Sequence, residues 1–141
     1  MIRVYLNIGL LFLFILPANS QQMSSDTCIL LEASDFYTQL HSSVLPLLLD
    51  LRTREDFKKE RIAGAVLAES KEILLNIADT LDIDQPVLLY CEFGYRSSEA
   101  CSTLKEKGFR FVYNLRGGLV SWRASGFELD RKNLRKKRKG S

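Results

Sequence analysis

The chain has 141 residues and a formal net charge of +3, and this length favours a single domain. Seven basic residues and no acidic one lie in residues 131–141, so the part before them is acidic. This distribution predicts a solvated, disordered tail that could contact anionic surfaces, and it does not indicate a specific nucleic-acid partner.

The first 20 residues have the features of a secretory signal peptide. Arg3 precedes an apolar run over residues 4–16, and small residues follow at Ala18 and Ser20. The run is shorter than the ~20 apolar residues that span a bilayer, so cleavage is favoured, with an N-terminal membrane anchor as the alternative. We therefore expect an exported protein, periplasmic or secreted, with these segments: signal peptide 1–20, domain 21–130 and tail 131–141.

The first half of the domain alternates between strands and helices. A short apolar strand over 28–31 precedes a helix that Ser34 can cap. The continuous apolar run over 47–51 is typical of a buried parallel strand. Thr53 can cap a short helix after it, because an acidic residue follows three positions later. Another short apolar run covers 65–68.

The second half continues the alternation. Ser70 can cap the most amphipathic helix of the chain, and a strand over 87–90 follows. Ser97 or Ser98 can cap a helix that ends before a glycine, and a strand over 111–115 precedes the last helix. This order predicts an α/β domain with a mainly parallel sheet of about five strands, right-handed crossovers and helices on both faces.

The cysteines do not indicate a metal site. Cys28, Cys91 and Cys101 lack C-x-x-C spacing, and His41 is the single histidine, so neither a metal nor another cofactor is expected. The odd count leaves at least one thiol unpaired within the chain. A Cys28–Cys101 bridge is not expected, because Cys28 precedes the first strand and Cys101 lies inside a helix, facing the core.

The loop that follows strand 87–90 is a candidate active site. Cys91 lies at the carboxyl end of this strand, which is where ligands of parallel sheets bind. Backbone N–H groups of residues 92–97 and the helix start favour an anion, Gly94 permits a tight turn, and Arg96 adds a positive charge. These features predict a nucleophilic thiolate in an anion-binding cradle, with a buried structural cysteine as the alternative. Glu92 opposes anion binding, and we expect its side chain to point to solvent.

Three motifs resemble those of single-domain rhodaneses, which are thiosulfate sulfurtransferases. CEFGYRS, residues 91–97, resembles the active-site loop of that family. LLLDLRTREDFKKERIAGAV, residues 47–66, and LRGGLVSWRASGF, residues 115–127, resemble two further family segments. The chain departs from the family at Glu60-Arg61, where Gly-His is usual, and at Ala63, where proline is usual.

The resemblance implies a rhodanese-like fold and a double-displacement reaction. The thiolate of Cys91 would take the outer sulfur of thiosulfate, release sulfite and hand the sulfur from a persulfide to cyanide or a thiol. We expect a monomer. Asp50 and Arg52 end a neighbouring strand, and we expect them to form a structural ion pair that supports the loop. The implied substrate-binding residues form one loop: Glu92, Phe93, Gly94, Tyr95, Arg96 and Ser97.

Other functions stay open on the same fold. One is a persulfide carrier without fast turnover, and another is a non-catalytic binding module, which the intact Cys91 argues against. Rhodanese-fold phosphatases and arsenate reductases place five residues between cysteine and arginine. Here Cys91 and Arg96 enclose four residues, and a shorter cradle suits a sulfur atom better than a phosphoryl group.

Overall fold

The computed structural model describes residues 27–131, so the predicted signal peptide over 1–20 and the tail beyond Arg131 lie outside the described residues. The strands are β1 (Ile29–Leu31), β2 (Leu47–Asp50), β3 (Val66–Leu67), β4 (Val87–Tyr90) and β5 (Val112–Leu115). The helices are α1 (Ala33–Leu40), α2 (Arg54–Lys59), α3 (Lys71–Ala78), α4 (Tyr95–Glu106) and α5 (Gly118–Ala124).

The five strands form one parallel sheet in the order β1-β5-β4-β2-β3. The predicted α/β class and parallel sheet are therefore confirmed. β4 is the central strand, so its carboxyl end is flanked on both sides by neighbouring strands. The short edge strands β1 and β3 extend over three and two residues.

Side chains of the central strands alternate between two buried layers, as the two-residue period of a strand requires. Leu48 and Leu88 pack with residues of α1 and α5 on one face. Leu49 and Leu89 pack with residues of α3 and α4 on the other face. The prediction of helices on both faces is therefore confirmed.

Two of the predicted helix caps are confirmed and two are wrong. Thr53 and Ser70 accept the backbone N–H three residues later, as predicted for α2 and α3. However, α1 begins after Glu32 instead of Ser34. The cap of α4 is Gly94, in the left-handed conformation with φ of +96°, so the helix begins earlier than the predicted cap at Ser97 or Ser98.

Cys28 and Cys101 form a disulfide, so the expectation of unpaired thiols at these positions is wrong. Their Cα atoms are 5.8 Å apart, and 73 positions separate them in the sequence. The sheet order explains the pairing, because β1 lies beside β5 and α4 packs on β5. Cys101 does face the core, as predicted, and is fully buried. Cys91 is the free cysteine.

Candidate active site

Cys91 directly follows β4 at the carboxyl end of the sheet. Its side chain is buried, and its Sγ accepts a hydrogen bond from the backbone N–H of Gly94 at 3.1 Å. The hydroxyl of Ser97 lies 3.5 Å from the same sulfur and 3.1 Å from the carbonyl oxygen of Gly94. The thiol therefore lies inside the turn that leads into α4, where a backbone donor already contacts it.

The start of α5 sets the orientation of the first loop peptides. The N–H of Leu119 donates to the carbonyl oxygen of Cys91 at 2.8 Å, and the N–H of Val120 donates to that of Glu92 at 3.2 Å. These peptide bonds are trans, so each N–H points opposite to its carbonyl. The N–H groups of Glu92 and Phe93 therefore point away from α5, which leaves them available to an anion.

Gly118 allows this close approach of α5 to the loop. A Cβ atom at this position would lie 2.5 Å from the carbonyl oxygen of Cys91 and 2.6 Å from that of Glu92, and φ is +60°. Both neighbours are backbone atoms, so relief requires the loop itself to move. Gly118 is therefore a structural part of the candidate site.

We expect Gly118→Ala to lower the free energy of unfolding and the reactivity of Cys91 together. The backbone strain alone is worth about 1–3 kcal/mol. Urea unfolding and the alkylation rate of Cys91 measure the two effects. Gly117→Ala is the matched control, because its φ is +70° but its nearest new contact is the side chain of Ser121 at 3.0 Å. Equal losses in both variants would contradict a specific role for Gly118.

Asn114 on β5 anchors the turn after Cys91, a role that was not predicted from the sequence. It is buried, and its side-chain amide donates to the carbonyl oxygen of Gly94 at 3.3 Å. The same carbonyl accepts from the N–H of Ser98 at 3.1 Å. A lone polar residue inside a predicted buried strand was the signal that could have identified it.

Asp50 and Arg52 form the expected ion pair beneath the loop. Asp50 is fully buried and Arg52 is 3% exposed, and Nη2 of Arg52 lies 2.7 Å from Oδ2 of Asp50. Burial disfavours the charge of Arg52, but hydrogen bonding and attraction to Asp50 raise its pKa above the ordinary value. Nη2 also donates to the carbonyl oxygen of Glu60 at 2.6 Å. The pair therefore ties the end of β2 to the end of α2.

Tyr90 joins this support, again without a signal in the sequence. Its hydroxyl accepts the N–H of Ile62 at 3.2 Å. Burial raises the pKa of Tyr90, and the nearby charge of Asp50 raises it further. Tyr90 is therefore a neutral phenol that fixes the segment after α2 against the strand that carries Cys91.

Glu92 does not extend freely into solvent, so that expectation is wrong. Its carboxylate accepts from Nη1 of Arg123 at 2.6 Å and lies 3.4 Å from Nη1 of Arg52. Nε of Arg123 donates to Glu60 at 2.8 Å, and Nε of Arg131 contacts the same carboxylate at 2.8 Å. We call these residues the Glu92 network: Arg52, Glu60, Glu92, Arg123 and Arg131.

Three members of the Glu92 network were not predicted from the sequence: Glu60, Arg123 and Arg131, the last of which was assigned to the basic tail. Glu60 occupies a position where the chain departs from the family motif, and Arg123 lies inside the closing motif beside Trp122. Trp122 is buried in the core. The pairing was hidden because these residues are far from Glu92 in the sequence and meet only in the folded sheet.

The remaining loop residues have exposed side chains. Phe93 and Tyr95 are 63% and 80% exposed, and Arg96 is also exposed. Within residues 27–131, no ion pair involves Arg96. Arg96 therefore contributes a positive charge that no acidic side chain of this part neutralises. Substrate contacts by these residues stay a prediction.

Two features are absent from residues 27–131: a metal-binding cluster and a membrane-spanning helix. In this part of the chain, no group of histidine, cysteine and acidic side chains is arranged to hold a metal ion. In the same part, no helix has the length and apolar character needed to cross a membrane.

The chain is similar to known proteins in both sequence and fold. The family model described as Rhodanese-like domain matches residues 32–125. The thiosulfate sulfurtransferase GlpE of Coxiella burnetii is 36% identical over 78 residues, which cover 55% of this chain and 72% of that protein. The tRNA uridine(34) hydroxylase of Protochlamydia amoebophila is 34% identical over 84 residues, but only 26% of that protein is covered.

A solved structure supports the fold. A rhodanese-related protein from Thermoplasma volcanium matches with a TM-score of 0.63 and 23% identity, and the match covers 74% of this chain and 99% of that one. The motifs quoted from the sequence and these comparisons thus agree.

Proposed function

The chain belongs to the rhodanese-like domain family, and on that premise we propose that it is a thiosulfate sulfurtransferase that acts through a persulfide on Cys91. One observation carries the proposal. The free thiol of Cys91 lies at the carboxyl end of the central strand and accepts the Gly94 N–H at 3.1 Å. Donors in this position can stabilise negative charge on sulfur in both the thiolate and the persulfide.

The proposed reaction has two displacements. The Cys91 thiolate attacks the outer sulfur of thiosulfate, the S–S bond of thiosulfate breaks, and sulfite leaves with the bonding electron pair. The terminal sulfur of the new persulfide carries the negative charge. Cyanide or a thiolate then attacks this sulfur, and the Cys91 thiolate is released. No redox partner is needed, because the acceptor takes up the sulfur that the donor supplied.

The loop geometry supports sulfur as the transferred group. The turn from Cys91 to the start of α4 is short, and the sulfur contacts a backbone N–H three residues later. A cradle of four residues between Cys91 and Arg96 is shorter than that of the related phosphatases and arsenate reductases. We therefore favour a sulfurtransferase over a phosphatase or an arsenate reductase.

Steady-state assays with thiosulfate and cyanide test the proposal. Thiocyanate formation that saturates with both substrates is the expected result. A protein that forms the Cys91 persulfide but releases its sulfur slowly would be a sulfur carrier. A protein that forms neither the persulfide nor thiocyanate would contradict the proposal and favour a binding module.

We expect Arg96→Ala to raise the KM for thiosulfate more than the KM for a neutral sulfur donor. A hydrogen bond to a charged group is worth about 1.5–3 kcal/mol, which corresponds to roughly 10- to 150-fold. Parallel kinetics with thiosulfate and an uncharged organic thiosulfonate ester measure the difference.

Arg110→Ala is the matched control for Arg96→Ala. Arg110 is an exposed arginine that pairs with Asp84 just before β5, at the amino end of the parallel strands and therefore at the end of the sheet opposite to Cys91. The control should leave both KM values unchanged. Equal losses for the two donors in Arg96→Ala would show that Arg96 shapes the loop and does not bind charge.

We also propose that the protein is exported after cleavage near Gln21. The basic start and apolar run support this, and so does the Cys28–Cys101 disulfide, because disulfides persist in oxidising compartments. N-terminal sequencing of the mature protein and cell fractionation measure the outcome. A full-length cytosolic protein would refute export, whereas an uncleaved membrane-bound form would favour the anchor.

A further inference from the structure

Glu92 presents a problem for an enzyme that binds an anionic sulfur donor. It follows Cys91 directly, and its carboxylate is one-third exposed at the candidate site. An unpaired carboxylate there would repel thiosulfate and would also disfavour negative charge on the sulfur. Some feature of the chain must therefore offset the charge of Glu92.

Arg123 has the geometry to provide this offset. Its guanidinium lies between two carboxylates, with Nη1 2.6 Å from Glu92 and Nε 2.8 Å from Glu60. The hydrogen bond that Arg123 donates to Glu92 raises the pKa of Arg123, against a smaller opposing effect of burial. Arg123 therefore stays positively charged. Its position is held by α5, whose N–H groups at Leu119 and Val120 bond to the loop after β4.

Arg52 is a weaker partner for Glu92. Its guanidinium is already engaged by Asp50 at 2.7 Å and by the carbonyl oxygen of Glu60 at 2.6 Å. The distance from its Nη1 to Glu92 is 3.4 Å, which is long for a charged hydrogen bond. Glu60 keeps Arg131 as a second partner. Loss of Arg123 would therefore leave the charge of Glu92, more than that of Glu60, poorly compensated.

We propose that Arg123 determines the charge preference of the site: by pairing with Glu92 it cancels a negative charge beside Cys91 and so admits anionic sulfur donors. Arg123 acts through Glu92 and is a positioning residue. The proposal rests on the proposed sulfurtransferase function, and it assigns to α5 a role in choosing between anionic and neutral donors.

The direct test measures charge at the thiol without sulfur transfer. Iodoacetate and iodoacetamide alkylate a thiolate by the same displacement of iodide, but only iodoacetate is negatively charged. The ratio of their rate constants at Cys91, read by mass spectrometry of the intact disulfide-bonded protein, reports the local charge. We expect Arg123→Gln to lower the iodoacetate-to-iodoacetamide ratio by about three- to tenfold, the effect of one uncompensated charge roughly 6 Å from the reagent at an effective dielectric constant of about 40–80.

The double variant separates charge from structure. Glu92→Gln/Arg123→Gln removes both partners, and we expect it to return the ratio to within about twofold of the unmodified protein. Arg123→Lys should also keep most of the ratio, because it keeps the charge. Arg110→Gln, with the same change of net charge at the amino end of the strands, should not alter the ratio.

Each other outcome would overturn the proposal. An unchanged ratio in Arg123→Gln would show that Glu92 does not act on the thiol. Equal slowing of both reagents, or a double variant that does not recover, would indicate loop distortion instead of charge.

Steady-state kinetics connect the result to the proposed function. Arg123→Gln should raise the KM for thiosulfate by more than the factor by which the ratio falls, because thiosulfate carries two negative charges and iodoacetate carries one, with kcat less affected. If the unmodified protein does not turn over thiosulfate, the proposed function fails, but the alkylation ratio still decides the role of Arg123.

Discussion

Replacement of Cys91 by serine is expected to lower kcat/KM for sulfur transfer by at least about a thousandfold. Serine cannot form a persulfide, and its hydroxyl is a far weaker nucleophile at neutral pH than a thiolate. Thiocyanate formation measures the loss. The contact with the Gly94 N–H can be kept by the serine oxygen, so the loop need not rearrange.

The same Cys91→Ser variant should remain folded. The substitution is close to isosteric, and its effect on the free energy of unfolding should stay within about 1–2 kcal/mol, as for most point variants. Urea unfolding gives this control. Substantial activity in a folded Cys91→Ser protein would mean that another group carries the sulfur.

Removal of the Cys28–Cys101 disulfide is expected to lower the free energy of unfolding by about 4 kcal/mol, because the bridge closes a loop that spans 73 positions. This is a large fraction of the 5–15 kcal/mol that is roughly typical of a folded domain. Urea unfolding with and without a reductant measures the change. The bridge joins the entry of β1 to α4, so its loss should also loosen the helix that begins at the turn after Cys91.

Cys28→Ser/Cys101→Ala is the control for reduction. A reductant should not change the free energy of unfolding of this double variant. The same reductant should lower the free energy of unfolding of the unmodified protein to about the value of the variant. Thiol counting on denatured protein gives an independent check: one reactive thiol before reduction and three after it, once bound sulfur is removed. Three thiols before reduction would contradict the bridge.

The features that the sequence predicted are those set by local pattern. Continuous apolar runs identified the buried strands β2 and β4, and the caps at Thr53 and Ser70 act within three residues of themselves. The position of Cys91 at a strand end also followed from the chain order. Each of these depends on neighbours in the sequence, which periodicity and capping rules describe.

The features that the sequence did not predict depend on sheet order. The pairing of Cys28 with Cys101 requires that β1 lie beside β5, and nothing local specifies this. The pairing of Glu92 with Arg123 requires that α5 pack against the loop that follows Cys91. The early start of α4 has a different cause: Gly94 adopts a left-handed conformation, and Ser97 turns inward toward the sulfur.

The most direct test of the central claim is the intact mass of the protein after treatment with thiosulfate and removal of excess reagent. The proposed function predicts a mass increase of one sulfur atom, located on Cys91 by peptide mapping and absent from Cys91→Ser. Cyanide should remove this sulfur and produce an equal amount of thiocyanate. An unchanged mass, or a sulfur atom located on another residue, would contradict the claim that Cys91 carries the transferred sulfur.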